Sequence, residues 1–201
     1  MKVAIIGASG KTGTKLVREL LNRGYQVVAV CRHSSVEKLD EFTDRDGFTV
    51  MTASAVADEV TLIQALAGCD AVVAVLIAVR CLKATELVTS LAKATAANGV
   101  KRLLFTAGEV TAVREEGEVY TLRQRFMLAL IPIIMRLTPY SVTDMLKASV
   151  MVSQQPDWEW TIVCAPTLRD TPPVGYRACK ISEVTSAHAL SREDYVCGLL
   201  A

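Results

Sequence analysis

The residues best placed to do chemistry lie at the amino-terminal end, in Gly7-Ala-Ser-Gly10-Lys-Thr-Gly13. They follow the apolar run Lys2–Ile6 and precede Leu16, Val17, Leu20 and Leu21, which recur at helical spacing. A strand that turns on glycine straight into a helix presents that helix's unpaired N–H groups and positive dipole end, and so forms an anion site. The first glycine permits the tight turn, the second lets a pyrophosphate approach the backbone, and the third lets helix and strand pack closely. The context on both sides makes the triplet informative. The spacing is GxxGxxG, and no Gly-Lys-[Ser/Thr] stands four residues after a glycine, which excludes a Walker loop. Gly7, Ser9, Gly10, Lys11, Thr12 and Gly13 are therefore candidates to hold a dinucleotide's phosphates.

A second cluster, Arg32-His-Ser-Ser35, ends the next apolar run, Gln26–Cys31. A site that prefers NAD places Asp or Glu here for the ribose 2′-hydroxyl. Arg32 offers a guanidinium instead, Ser35 a hydroxyl, and no carboxylate repels a 2′-phosphate. NADP(H) is the cofactor expected. The plainer reading of Arg32 is a solvated surface charge, and His33 reads as a loop histidine.

The elements that must position these groups follow a regular rhythm. Strands are predicted at Lys2–Ile6, Gln26–Cys31, Phe48–Thr52, Asp70–Ile77, Lys101–Thr106 and Trp160–Cys164. Helices are predicted at Thr12–Arg23, Asp58–Ala67, Thr85–Asn98 and Asp144–Gln154. Continuous apolar strands that alternate with helices imply a parallel sheet covered on both faces. The fold class expected is α/β, a Rossmann-type doubly wound sheet in a single domain over 1–201, with 1–108 as the cofactor-binding core. Two stretches break the rhythm, 109–140 and 167–201, and both follow strand ends where ligands sit in such sheets. They are expected to cover the substrate. The first contains an apolar helix, Arg123–Leu137, interrupted by Pro132. It reads as a lid, a core helix, or the surface of a homodimer or protein partner over 120–137. The second suggests a hairpin, Tyr176–Ile181 with Ser186–Leu190, and then a helix start at Ser191-Arg-Glu-Asp194.

Composition narrows the partners. Lys and Arg number 22 against 21 Asp and Glu, a net charge of +1. That balance argues against a nucleic-acid binder that works by phosphate neutralisation. The first ten residues hold one Lys and a four-residue apolar run, too short for a signal core, and no apolar stretch reaches membrane-spanning length. Six cysteines, at 31, 69, 81, 164, 179 and 197, show no metal-ligand spacing. They read as buried free thiols of a cytoplasmic protein, with Cys81, flanked by Arg80 and Lys83, the best candidate for a reactive one.

The segments GASGKTG, VCRHSS, CDAVVAVL, KRLLFTAG and WTIVCAP together resemble the atypical short-chain dehydrogenase/reductases with NAD(P)-binding, NmrA-like domains, most nearly the biliverdin-IXβ/flavin reductase type. The resemblance covers most of 1–166 and, more loosely, SREDYV. It implies that Leu76 and Ala78 line the cofactor and that Thr106 stands near the nicotinamide. It also places Lys147 near the ribose and starts the covering loop at Pro166 and Thr167. Thr106 and Lys147 are then the catalytic candidates. Their plainer readings are a strand-end threonine and a solvated helix lysine. The chain departs from the family pattern in four places. No Asp follows the third strand, at Thr52-Ala-Ser-Ala55; Ala107 replaces a second hydroxyl; Ala165 replaces an Arg; and no Tyr-x-x-x-Lys occurs. A phenol activated by a Lys one turn away is the proton donor of carbonyl reduction, so a different acceptor is expected. The function implied is NADPH-dependent hydride transfer to a small flavin, quinone or tetrapyrrole, with the small molecule as the partner. The competing reading is a non-catalytic NADP(H)-binding redox sensor or protein-interaction module.

Overall fold

In a computed structural model, residues 1–55, 57–76, 83–113, 122, 125, 126, 129, 130, 133, 141–180, 183 and 189–201 are described. The sheet is built from β1 (Lys2–Ile6), β2 (Gln26–Arg32), β3 (Phe48–Ala53), β4 (Ala71–Ala74), β5 (Arg102–Gly108) and β6 (Glu159–Ala165). All neighbours are parallel and the order is β3-β2-β1-β4-β5-β6. The order reverses between β1 and β4, and in open α/β sheets that is where ligands bind.

The helices are α1 (Lys11–Asn22), α2 (Glu59–Ala65), α3 (Ala84–Asn98), α4 (Val142–Ser153) and α5 (Arg192–Leu199). Strand alternation divides their burial between two faces. Ala4, Ile6, Val28 and Phe105 pack with Leu62, Leu87, Leu91 and Ala148 of α2, α3 and α4. Val3, Ile5, Val27 and Leu104 pack with Leu16, Val17 and Leu20 of α1 and with Val196 of α5. This is the doubly wound α/β sheet expected. Each helix end has a physical cause: Gly99 takes a left-handed φ of 68° after α3, and the Asp58 carboxylate accepts the Thr61 N–H at the start of α2.

The structure adds a 3₁₀ helix over His33–Phe42 that buries Leu39 and Phe42 against the α1 face. The Arg18 guanidinium lies 5.6 Å from the Phe42 ring centre. The carboxyl end corrects a sequence expectation. Tyr176–Lys180 forms no strand, and β8 (Leu190–Ser191) pairs in parallel with β7 (Leu168–Arg169) rather than in a hairpin. Pro172 and Pro173 have no N–H to donate, and the Val174 and Gly175 N–H groups donate to the Asp194 carboxylate, not to a strand. Tyr176 lays its ring near Gly198, where an added Cβ would meet it at 3.3 Å.

Cys31 and Cys69 are buried free thiols and Cys164 is half-buried, whereas Cys179 is exposed, contrary to the buried reading. Cys81, Ala78 and most of the 123–137 helix lie outside the described residues. No helix among the described residues is long and apolar enough to cross a membrane.

Gly13 is packed tightly: an added Cβ would strike the Gly7 and Ala8 carbonyl oxygens, the second at 2.7 Å. Both obstacles are backbone and cannot rotate away. Gly13→Ala is therefore expected to lower the unfolding free energy by about 1–3 kcal/mol in urea titration. A stability equal to the wild type would contradict the close approach.

Candidate functional site

The turn between β1 and α1 is held from below. The Gly7 and Ala8 N–H groups both donate to the Val30 carbonyl, at 3.1 and 3.2 Å, and Gly10 N–H donates to Gly7 O at 3.0 Å. Gly7 takes a φ of +84° and lies against the Val75 carbonyl. Above this, α1 starts uncapped. Gly10 is the N-cap and has no side chain to accept a bond, and the first turn carries no acidic residue. Among the described residues, the N–H groups of Lys11, Thr12 and Gly13 have no acceptor. Thr12 is only 9% exposed and Gly13 is buried, whereas Gly10 and Lys11 before them are exposed. Unpaired amides at a positive helix end fit a phosphate. An added Cβ at Gly10 would meet only Gly7 O, at 3.2 Å, so the space beside it stays open.

The tip of β2 joins this turn. Ser9 Oγ lies 2.9 Å from Ser35 Oγ, and Ser35 Oγ donates to Arg32 O at 3.1 Å. Ser35 is buried, and Arg32 is exposed with no ion-pair partner among the described residues. Arg32 is also the N-cap of the 3₁₀ helix without capping it by its side chain. A guanidinium and two hydroxyls therefore meet at one corner, and no carboxylate among the described residues pairs with Arg32. On the far side of the loop after β3, Ser54 Oγ donates to Asp58 at 3.0 Å. The Thr61 N–H and this hydroxyl hold the Asp58 carboxyl below its ordinary range. Asp58 is thus engaged in capping α2.

At the carboxyl edge of β4–β6, Thr106 is 5% exposed and its Oγ1 accepts the Leu76 N–H at 3.3 Å. Thr106 projects to the α1 and α5 face, opposite Val163 in register. Tyr195 of α5 lies over the same pair and donates its hydroxyl to Val163 O at 2.9 Å. Burial drives its phenol far above the ordinary range, with a smaller opposing contribution from Thr106, so the phenol stays protonated. Burial also pushes the neighbouring Cys164 thiol up to about 11, which keeps it unreactive at neutral pH. Tyr195 escapes sequence reasoning because no lysine follows at one-turn spacing; its signal is its place one helical turn after the Ser191 cap. Lys147 is exposed on α4, on the other face of the sheet, with no polar partner among the described residues. Thr106 thus projects to one face of the sheet, whereas the helix that carries Lys147 packs on the other. Pro166 and Thr167 open the loop after β6, where Thr167 O accepts the Leu190 N–H at 3.0 Å.

Beyond that loop, residues 170–176 are strapped to α5. Asp194 is buried and accepts Val174 N–H at 2.9 Å, Gly175 N–H at 3.0 Å and the Ser191 hydroxyl at 2.8 Å. Asp170 pairs with Arg192 at 2.9 Å and with Lys11, which is 77% exposed, at 3.6 Å. The strap therefore contacts both the last helix and the end of the glycine turn. Among the described residues no cluster could hold a metal ion.

A family model for NAD(P)H-binding proteins matches residues 7–195, and the chain belongs to that family. The resemblance to atypical short-chain dehydrogenase/reductases holds at that level. A Veillonella parvula short-chain dehydrogenase/reductase solved in complex with NADP is 18% identical, with a TM-score of 0.74 over 99% of this chain and 85% of that one. ChuY of Escherichia coli O157:H7, described as an anaerobillin reductase, is 13% identical, with a TM-score of 0.73 over 100% and 89% of the two chains. A Bacteroides thetaiotaomicron putative epimerase is 23% identical, with a TM-score of 0.74 over 99% and 88%. These three share the fold. No curated protein sequence matches significantly.

The strap carries a pH signature. The Val174 N–H first, then the Ser191 hydroxyl and the Gly175 N–H, hold the Asp194 carboxyl below its unfolded value. A depressed carboxyl contributes stability that is present above the unfolded pKa and is lost as pH falls through the folded one. Melting temperatures followed from neutrality to below about pH 4 are expected to fall more steeply for the wild type than for Asp194→Asn. The variant is expected to melt lower at pH 7. Parallel acid limbs would show that the strap is not held by this charge.

Proposed function

We propose that the chain is an NADPH-dependent reductase that transfers hydride to a small aromatic or conjugated acceptor of the flavin, quinone or tetrapyrrole type. One observation carries this reading: an uncapped helix end beside a corner of Arg32, Ser9 and Ser35 in which Arg32 has no ion-pair partner among the described residues. The first suits a pyrophosphate and the second a ribose 2′-phosphate. The NADP complex of the Veillonella protein supports the choice of cofactor, and the description of ChuY as an anaerobillin reductase supports the acceptor class.

When bound, the nicotinamide supplies the hydride. The protein's part is to bind, orient and exclude water. The amides of Lys11–Gly13 would hold the diphosphate, and Lys11 would add its charge. Arg32 and Ser35 would take the 2′-phosphate, with Ser9 keeping Ser35 in place. Leu76, Ala78, Pro166 and Thr167 would border the nicotinamide half, and the 109–140 and 167–201 segments would cover the acceptor. Thr106 and Lys147 are proposed to contact the reacting end. The Tyr195 hydroxyl is already donated to Val163 O, so the acceptor's proton is assigned to solvent, and conjugated acceptors tolerate this because they delocalise the added electrons. The second reading, a non-catalytic NADP(H) sensor, is favoured by Thr106 projecting to one face of the sheet while the helix that carries the exposed Lys147 packs on the other.

Titration of the purified protein is expected to show NADPH bound at least about tenfold more tightly than NADH, and Arg32→Glu to abolish the difference. Equal affinity for both coenzymes would refute the 2′-phosphate assignment. NADPH oxidation in the presence of FMN, a quinone or biliverdin is expected for the reductase. Binding without turnover across that panel would select the sensor.

A further inference from the structure

A cavity of about 320 Å³ opens beside the phosphate turn, between α1, the strap and the start of α5. Its charged lining is Lys15, Arg169, Asp170, Arg192 and Glu193. Two of the three cations are paired: Arg192 with Asp170 at 2.9 Å, and Lys15 with Glu193 at 2.9 Å. Arg169 is exposed and has no ion-pair partner among the described residues. The lining therefore carries one positive charge in excess, and Lys11 stands at its edge, 3.6 Å from Asp170. The paired side chains are held in place, and Arg192 is only 16% exposed. Preorganised cations in a partly screened hollow bind an anionic oxygen group more tightly than free surface lysines do.

The position of the hollow relates it to the reacting end of the proposed site. Arg169 belongs to β7, two residues beyond Thr167, and β7 pairs with β8 directly before Arg192. The charged wall is thus continuous with the loop that starts at Pro166.

We infer that this cavity receives an anionic group, a carboxylate or a phosphate, of the acceptor, with Arg169 as its main contact and Lys15 and Arg192 as flanking charges. The inference rests on the reductase reading and narrows it to acceptors that carry such a group, over neutral ones with the same ring system. The chemistry would also suit a phosphate of the cofactor itself, and the experiment separates the two.

The test uses the full chain saturated with NADP⁺. FMN and riboflavin, which differ by a phosphate, are titrated by quenching of flavin fluorescence. Biliverdin and its dimethyl ester, which differ by two carboxylates, are titrated by absorbance. The charged member of at least one pair is expected to bind about tenfold more tightly, and the gap to close in Arg169→Ala and at high salt. NADP⁺ affinity of Arg169→Ala is expected to match the wild type. If neither pair is discriminated, or if the gap survives in Arg169→Ala, the inference is overturned. A loss of NADP⁺ affinity in that variant would assign the cavity to the cofactor and also overturn it. An anion preference in a protein that never oxidises NADPH would uphold the cavity and sink the reductase reading alone.

Discussion

The structure depends on how closely α1 sits on the turn that feeds it. Gly13 lies against the Gly7 and Ala8 carbonyls with no room for a side chain, and this contact fixes where the helix begins. The helix then starts without a capping side chain and without an acid in its first turn. An ordinary N-cap would contribute about 1 kcal/mol. Its absence leaves the Lys11–Gly13 amides with no acceptor among the described residues, and Thr12 and Gly13 are buried there. Stability has been given up locally where an external anion can restore it, which is a common arrangement at ligand sites. The same turn is tied to β2 through Val30 O and to the β2 tip through Ser9 and Ser35. A change at Gly13 would therefore reach both phosphate-binding corners of the proposed site.

The last helix organises the opposite rim. Four consecutive residues of α5 reach four different partners: Arg192 to Asp170, Glu193 to Lys15, Asp194 to the Val174 and Gly175 amides, and Tyr195 to Val163 O. Successive helical side chains point about 100° apart, so one turn can address the strap, α1 and the end of β6 together. Ser191 sets the register by capping Asp194 N–H at 2.9 Å while donating to its carboxylate. The exposed ion pairs add little each. The buried carboxylate and phenol hold the segment, because each would leave amide or carbonyl groups unsatisfied if removed.

Legibility in the sequence followed from how local each determinant was. Strands such as Gln26–Arg32 are buried on both faces and read as unbroken apolar runs, so the sheet and its helices were visible. The 3₁₀ helix was not, because Val36, Leu39 and Phe42 recur every third residue among charges, a period that fits neither an α-helix nor a strand. The expected hairpin of 176–181 with 186–190 is not formed at Tyr176–Lys180, where the Val174 and Gly175 amides that lead into it are satisfied by Asp194 about 20 residues on. The glycine turn and Arg32 were readable because their chemistry is contiguous. Tyr195 was missed because its partner, Val163, is 32 residues away. The cavity was invisible for the same reason: its Lys15–Glu193 wall joins positions 178 residues apart.

The two cationic regions differ in a way that bears on their proposed roles. At the β2 tip Arg32 has no ion-pair partner among the described residues, so a 2′-phosphate there would meet an uncompensated guanidinium. In the cavity, Asp170 and Glu193 already hold two of the three lining cations. An incoming anion must share those cations with fixed carboxylates, which weakens its hold while leaving its position defined. A coenzyme that stays through the hydride step is served by the first arrangement. An acceptor that must leave after reduction is served by the second, since a product bound as tightly as the coenzyme would limit turnover. Asp170 links the two, because its carboxylate reaches Lys11 at the phosphate turn as well as Arg192 in the cavity. A dinucleotide phosphate that drew Lys11 away would leave Asp170 more fully on Arg192, so on this reading filling one site adjusts the charge of the other.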